Sequence, residues 1–525
     1  MNAGFRIPLL GGALIFASVS ALGAPVKIDS GLVQGIQVGG LSVYKGIPFA
    51  APPIGLLRWR EPQPVKPWSG ILAADKFAPA CMQTGVSMPG ETPPRVSEDC
   101  LYLNLWTPAK HASEHLPVMV WIYGGGFTTG SAAMPLYWGD RLATKGVIVV
   151  NFGYRVGPFG FLVHPELTAE SPHHSSGNYG FMDQIAALRW VQRNISAFGG
   201  DPGRVTVAGQ SAGATSVSVL MTSPLGKGLF HQAIEQSGGL FEPVQLAPRV
   251  LLANAEHEGE SYVKSLGAHS IAELRAMPAR SLLRGEWQDV SHVVIEPYLM
   301  PDSPYNIFVS GRQNRVPVLI GSNADEFRAM IADPNVIKAS TFTVDITNSW
   351  GPLPPKLLSA YPFNTDVEAR GARLALERDL RFGWDMWALA RLASSVGHND
   401  VYYYHFTHKP PFPAGTVRSG WGASHYAEMW YMFDHLHQET WKWTAADKRL
   451  ADQMSSYWVN FIKSGDPNGR GLTEWPKYTP DDRRALYLDD VVRADLVADL
   501  NTLSVVDDVY SQVRGSAFGT PPLKK

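Results

Sequence analysis

The sequence predicts an α/β fold, with a large central, mostly parallel sheet, flanking helices and helical insertions. Three observations carry this expectation. Short apolar runs alternate with helix-compatible stretches along the chain. One such run, 204–208, meets a helical stretch at Gly209-Gln210-Ser211-Ala212-Gly213, and an earlier one runs into Tyr123-Gly124-Gly125-Gly126.

Bulk composition fits one large folded unit. A chain of 525 residues has room for two or three domains, yet large α/β enzymes often form one domain with long insertions. Charged residues make up 18% and apolar residues 45%, and a charged share below the usual ~25% implies a large buried core. The net charge of −2 gives no electrostatic reason to expect nucleic acid or an anionic membrane as partner. Internal repeats, heptads and low-complexity segments are not evident in the sequence.

The chain begins Met1-Asn2-Ala3-Gly4-Phe5-Arg6, continues through the apolar residues 7–16, and then through residues 17–24, rich in small side chains. This order predicts a secretory signal peptide over 1–24, cut after Gly23 or Ala24, with a mature domain over 25–525 that is periplasmic or secreted. The apolar stretch is too short and too rich in glycine to span a bilayer, and no cysteine follows the cut to take a lipid. Stable membrane insertion is therefore not expected after signal removal. The two cysteines, Cys81 and Cys100, form an even pair in an exported chain and so predict a disulfide.

The elements follow in order. The Pro- and Gly-rich stretches 48–70 and 84–95 predict loops. Residues 117–120 predict a strand leading into the glycine run, and 146–151 another strand. Residues 181–193 predict a helix; 204–208 and 214–221 predict the strand and helix on either side of Ser211. Residues 233–236, 316–320 and 401–406 predict further buried parallel strands, and 450–463 a late helix. Residues 241–300 and 327–395 read as mostly helical and are expected to form a lid.

The strand–turn–helix at Ser211 has the form of a nucleophile elbow, in which small residues at both flanks let strand and helix approach around a strained serine. The glycine loop supplies what such a serine needs. A tetrahedral acyl intermediate carries an oxyanion, which backbone amides stabilise where water is excluded; Gly125, Gly126 and Ala212 are the expected donors. A serine hydroxyl also needs a base to take its proton and an acid to orient that base. After the strand at 316–320 comes Gly321-Ser322-Asn323-Ala324-Asp325-Glu326, and on local evidence Asp325 and Glu326 compete equally for the acid.

With these motifs the chain resembles the type-B carboxylesterases, the α/β-hydrolase family that includes the cholinesterases and the bacterial para-nitrobenzyl esterases. The resemblance covers nearly the whole mature chain. It includes Tyr44-Lys45-Gly46-Ile47-Pro48-Phe49-Ala50, Ser97-Glu98-Asp99-Cys100-Leu101-Tyr102-Leu103-Asn104, Asn151-Phe152-Gly153-Tyr154-Arg155-Val156-Gly157, Phe198-Gly199-Gly200-Asp201-Pro202, Ser464-Gly465-Asp466-Pro467-Asn468 and Trp475-Pro476-Lys477-Tyr478. The resemblance implies an α/β-hydrolase fold and a serine esterase acting on small-molecule carboxylic esters without a cofactor. It assigns the acid to Glu326, the general base to His425 in Gly422-Ala423-Ser424-His425-Tyr426-Ala427-Glu428-Met429, and a disulfide to Cys81 and Cys100. A lipase or amidase on the same fold, or a non-catalytic adhesion protein, are the competing readings; the last would normally have lost the serine.

Other histidines close by in sequence, His405, His408, His435 and His437, read as structural or exposed. Neither His173-His174 nor His435 with His437 has partners at recognised metal-ligand spacing, so no metal is expected. Tyr123, Gln210 and Phe327 are candidates to line the substrate pocket. Gln210 stands where the resembling enzymes usually carry glutamate, and Phe327 where they carry glycine after the acid. The segment between the cysteines has no tryptophan, and Met82 or Met88 cannot supply the cation–π contact that holds a quaternary ammonium. A choline ester is therefore not the expected substrate.

Overall fold

Residues 118–122 are entirely buried, as expected of a strand covered on both faces, where the alternation of apolar and polar side chains is lost. The computed structural model describes residues 21–88, 91–287, 293–331, 333–397 and 399–517. Its main sheet has twelve strands. In chain order they are β1 (Ala21–Leu22), β2 (Ile36–Val38), β3 (Leu41–Pro48), β4 (Tyr102–Thr107), β5 (Leu116–Ile122), β6 (Ile148–Phe152), β7 (Gly200–Gln210), β8 (Gln232–Gln236), β9 (Val318–Asn323), β10 (Val401–Phe406), β11 (Arg484–Leu488) and β12 (Arg493–Leu496). In space they run β1-β2-β3-β4-β6-β5-β7-β8-β9-β10-β11-β12. Every pairing from β6 through β11 is parallel, and those outside it are antiparallel. This is an α/β-hydrolase fold with a mostly parallel sheet.

Helices cover the sheet. α1 (Tyr179–Asn194) and α2 (Ala212–Thr222) pack against its centre, and all eleven residues of α2 are buried. The insertions expected as a lid contribute α3 (Leu252–Ser265), α4 (Phe342–Trp350), α5 (Asp366–Arg378) and α6 (Trp384–Ser395), and the late helix is α7 (Ala445–Ser464). α7 starts five residues before the apolar pattern because Thr444 and Asp447 form a reciprocal cap, and it stops at Gly465 in the left-handed region. β9 begins after Pro317, which has no N–H to give, and continues past the apolar run to Asn323, whose side chain is buried.

The expected disulfide joins Cys81 and Cys100. Most of the predicted signal segment, residues 1–20, lies outside the described residues. Ala21–Leu22 pairs with β2 at the sheet edge, so a cut after Gly23 or Ala24 would remove that edge strand. Among the described residues no helix is long and apolar enough to cross a membrane.

In a parallel sheet the C-terminal ends of the strands open into a crevice suited to ligands. The glycine loop follows β5, Ser211 follows β7, Glu326 follows β9 and His425 follows β10, so topology alone gathers them at one edge.

Candidate active site

Ser211 occupies the turn between β7 and α2 with φ 58° and ψ −129°, a conformation few non-glycine residues adopt. The flanking glycines are fixed by contact distance. A Cβ on Gly209 would lie 2.3 Å from the Gly213 carbonyl, and one on Gly213 would lie 2.0 Å from the Ile122 oxygen. The serine amide donates to Gln236 O at 2.9 Å, which ties the elbow to β8.

Ser211 lines a cavity of about 600 Å³ together with Gly125, Gly126, Ala212 and His425. Among the described residues no protein acceptor takes the amide hydrogens of Gly125, Gly126 or Ala212. The first amides of α2 also have no partner inside their own helix. These N–H groups therefore share the cavity wall with the serine and are free to hold an anion.

His425 is buried, and its Nδ1 lies 2.6 Å from Glu326 Oε2. Glu326, fully buried, also accepts from Ser237 Oγ at 2.5 Å and from the Asn323 amide at 2.7 Å on Oε1. Its carboxylate is thus fixed from three directions. The rival acid faces elsewhere: Asp325 Oδ2 accepts from the Ala423 amide at 2.9 Å and steadies the loop that carries His425. No hydrogen bond joins Ser211 Oγ to the imidazole among the described residues; such bonds commonly tighten only when substrate binds.

Two further groups pack on His425. The Gln210 amide nitrogen lies 3.2 Å from Nε2 and 3.4 Å from Nδ1, and this near-equidistance puts the amide over the ring face. Phe382 stacks on the imidazole with ring centroids 4.6 Å apart. A second carboxyl, Glu428, lies behind Glu326 and accepts from Asn323 Nδ2 at 2.5 Å and Gln236 Nε2 at 3.2 Å. Burial, and then the nearby Glu326 carboxylate, push Glu428 up to about 7.

The pocket candidates need correction. Tyr123 is buried against Tyr154, with ring centroids 4.5 Å apart, and is not among the cavity's lining residues; Gly130 makes room for its ring. Phe327 is not among them either and instead faces the guanidinium of Arg381. Gln210 is not among them and lies against the His425 ring. Side chains that do line the cavity include Met88, Trp350, Arg381, Phe382 and Trp421. Most come from insertions that carry no motif. Ser237 had a readable signal, since Ser237-Gly238-Gly239 directly follows β8.

The neighbouring histidines are held in structural contacts. His408 bonds Asp447 at 2.8 Å and Asp490 at 2.9 Å through its two nitrogens, and His435 bonds Leu136 O and Asp140 at 3.1 Å each. Burial, followed by the Arg378 charge, pushes His405 down to about 4. His408, Asp489 and Asp490 bring three ligand-type atoms together away from the cavity; within that group Asp490 already bonds His408 Nδ1, and Asp447 takes Nε2.

The carboxylesterase family model matches residues 23–497. The chain is 38% identical to fumonisin B1 esterase of Sphingopyxis macrogoltabida, over 86% of this chain and 84% of that protein. It is 34% identical to para-nitrobenzyl esterase of Bacillus subtilis, over 88% of this chain and 94% of that one. A solved structure of a PNB esterase superposes with a TM-score of 0.78 at 31% identity, covering 92% of this chain and 99% of the other.

Proposed function

Because this chain belongs to the carboxylesterase family and is a carboxylic ester hydrolase, we propose that it cleaves esters through a covalent acyl-enzyme on Ser211, with His425 as general base and Glu326 as its orienting acid. The observation that carries this reading is the 2.6 Å contact of Glu326 with His425 Nδ1 beside a cavity that also holds the strained Ser211.

The chemistry follows from these positions. Ser211 Oγ attacks the ester carbonyl carbon while His425 Nε2 takes the hydroxyl proton. Glu326 holds Nδ1–H, fixes the tautomer and stabilises the imidazolium that forms. The carbonyl oxygen gains the negative charge and sits among the amides of Gly125, Gly126 and Ala212. Collapse expels the alcohol, which takes the proton from His425. Water then attacks the acyl-enzyme by the same route, releasing the acid and restoring the serine.

The disulfide and the apolar N-terminal stretch support export to the periplasm or the medium. The direct test is turnover of p-nitrophenyl acetate together with covalent labelling by an organophosphate. Both are expected in the unaltered protein and neither in Ser211→Ala; labelling that persists in the variant would overturn the assignment. Rates on short esters, a triglyceride emulsion and anilides separate esterase from lipase and amidase action.

A further inference from the structure

Three successive residues, Leu380, Arg381 and Phe382, all face the cavity. They lie on a single π-helical turn, Asp379–Gly383, between α5 and α6, a local distortion often found at functional sites. Phe382 stacks on His425. Its neighbour Arg381 is held in place by the faces of Phe327 and Trp350, 5.2 and 4.9 Å from its guanidinium carbon, and by Glu377, 2.9 Å from Nε. Glu377 also pairs with Arg373 at 2.7 Å, so one carboxylate serves two guanidiniums.

Arg249 lines the same cavity wall and is half-buried. Among the described residues no salt bridge or hydrogen bond holds its guanidinium, and the acid beside it is Glu242, which lines the same cavity. Two acids face this region. Asp385 accepts the amides of Leu240 and Phe241 at 3.2 and 2.6 Å, and burial pushes it up to about 7. Burial also raises Glu242, which faces Arg249, Arg381 and Arg514. Arg514 in turn packs on the Tyr305 ring and donates to Phe241 O. The cavity wall itself thus carries two guanidiniums, Arg249 and Arg381, and two acids, Glu242 and Asp385, both of which resist ionisation. Beside His425, Gln210 adds no negative charge.

We infer that the cavity recognises esters bearing a second, anionic carboxylate, which Arg249 and Arg381 hold while the ester reaches Ser211. This rests on the reading of the cavity as the ester-cleaving site. A planar guanidinium suits a carboxylate because its N–H fork matches the two oxygens. The fixed Arg381 needs little ordering on binding, and Arg249 has no salt bridge to break, its nearest acid being Glu242, which burial makes hard to ionise.

The test uses esters matched in length: mono-4-nitrophenyl glutarate against 4-nitrophenyl pentanoate for a charge in the acyl half, and 4-acetoxybenzoate against its methyl ester for one in the alcohol half. The unaltered protein should favour the charged member of at least one pair in kcat/KM. That ratio should fall about tenfold in Arg249→Met and in Arg381→Met, chiefly through KM, and recover partly in Arg249→Lys. It should also shrink as salt rises. Calorimetric titration of Ser211→Ala with monoethyl glutarate and ethyl pentanoate reads the same preference without turnover. Preference for the neutral member of both pairs, or equal binding of the two titrants, would overturn the inference. Turnover that survives in Ser211→Ala would instead sink the acyl-enzyme reading, with the charge preference still decided by binding.

Discussion

The carboxylate of Glu326 lies 2.6 Å from His425 Nδ1, while that of the preceding residue, Asp325, accepts the Ala423 amide at 2.9 Å. Adjacent acids therefore have separable roles. Glu326→Gln should lower kcat by about 10³ to 10⁴, because a carboxamide neither stabilises the imidazolium nor enforces its tautomer. Asp325→Asn weakens a contact to the loop and should cost on the order of 1 kcal/mol of stability, with kcat changed only a few-fold. Steady-state rates and urea midpoints for both variants check this, and the reverse pattern would mean the wrong acid has been assigned.

Ser211 holds φ 58°, and this makes a stability prediction that is independent of activity. Ser211→Ala keeps a Cβ in the strained turn, whereas Ser211→Gly removes it. Both variants should be inactive, and the glycine variant should be the more stable of the two by about 1 kcal/mol, the release of strain outweighing the entropy glycine adds to the unfolded chain. Equal urea midpoints would show that the turn stores no such strain.

Much of the site was legible because its geometry is written in small residues. Gly209, Gly213 and the run at Gly124 mark places where backbone meets backbone, and such contacts leave a local signature. The local residues do not choose between Asp325 and Glu326, since both follow the same strand and only the path of the turn after Asn323 separates them; the family resemblance is what assigns Glu326. Tyr123 adjoins the glycines in sequence and so reads as a pocket residue, yet its ring faces Tyr154 in the core. Arg381 and Phe382 reach the cavity through a π-helical turn, and periodicity gives no warning of one.

Glu235 is a buried acid in β8 whose Oε2 accepts from Ser218 Oγ at 2.6 Å. Burial pushes it from the ordinary 4.5 up to about 8. Between these values the folded protein keeps a proton that the unfolded chain gives up, so stability is greatest below about 4.5, falls as pH rises through the window and levels off above about 8. Asp385 and Glu428, each raised to about 7, act in the same direction over narrower windows. The slope is on the order of 1 kcal/mol per pH unit for each such group. Glu235→Gln removes one contribution, so its stability relative to the unaltered protein should improve between pH 5 and pH 8. Urea midpoints that shift in parallel across that range would refute the account.

Gln210 places a neutral amide 3.2 Å from His425 Nε2, where a carboxylate would favour the imidazolium. Gln210→Glu should therefore carry the acid limb of the kcat/KM profile to higher pH, because the base must be neutral to accept the serine proton and a nearby negative charge makes it harder to deprotonate. The same charge should shift preference toward a cationic ester by about 1 kcal/mol, since effective dielectric near 20 screens a carboxylate several ångströms away. Matched butyryl and butyrylcholine esters measured across pH test both effects. The site at position 210 is fully buried, so a new carboxyl there will itself resist ionisation, and the shift should grow toward alkaline pH. An acid limb that stays in place at every pH, with an unchanged choline preference, would show that position 210 exerts no field on the base.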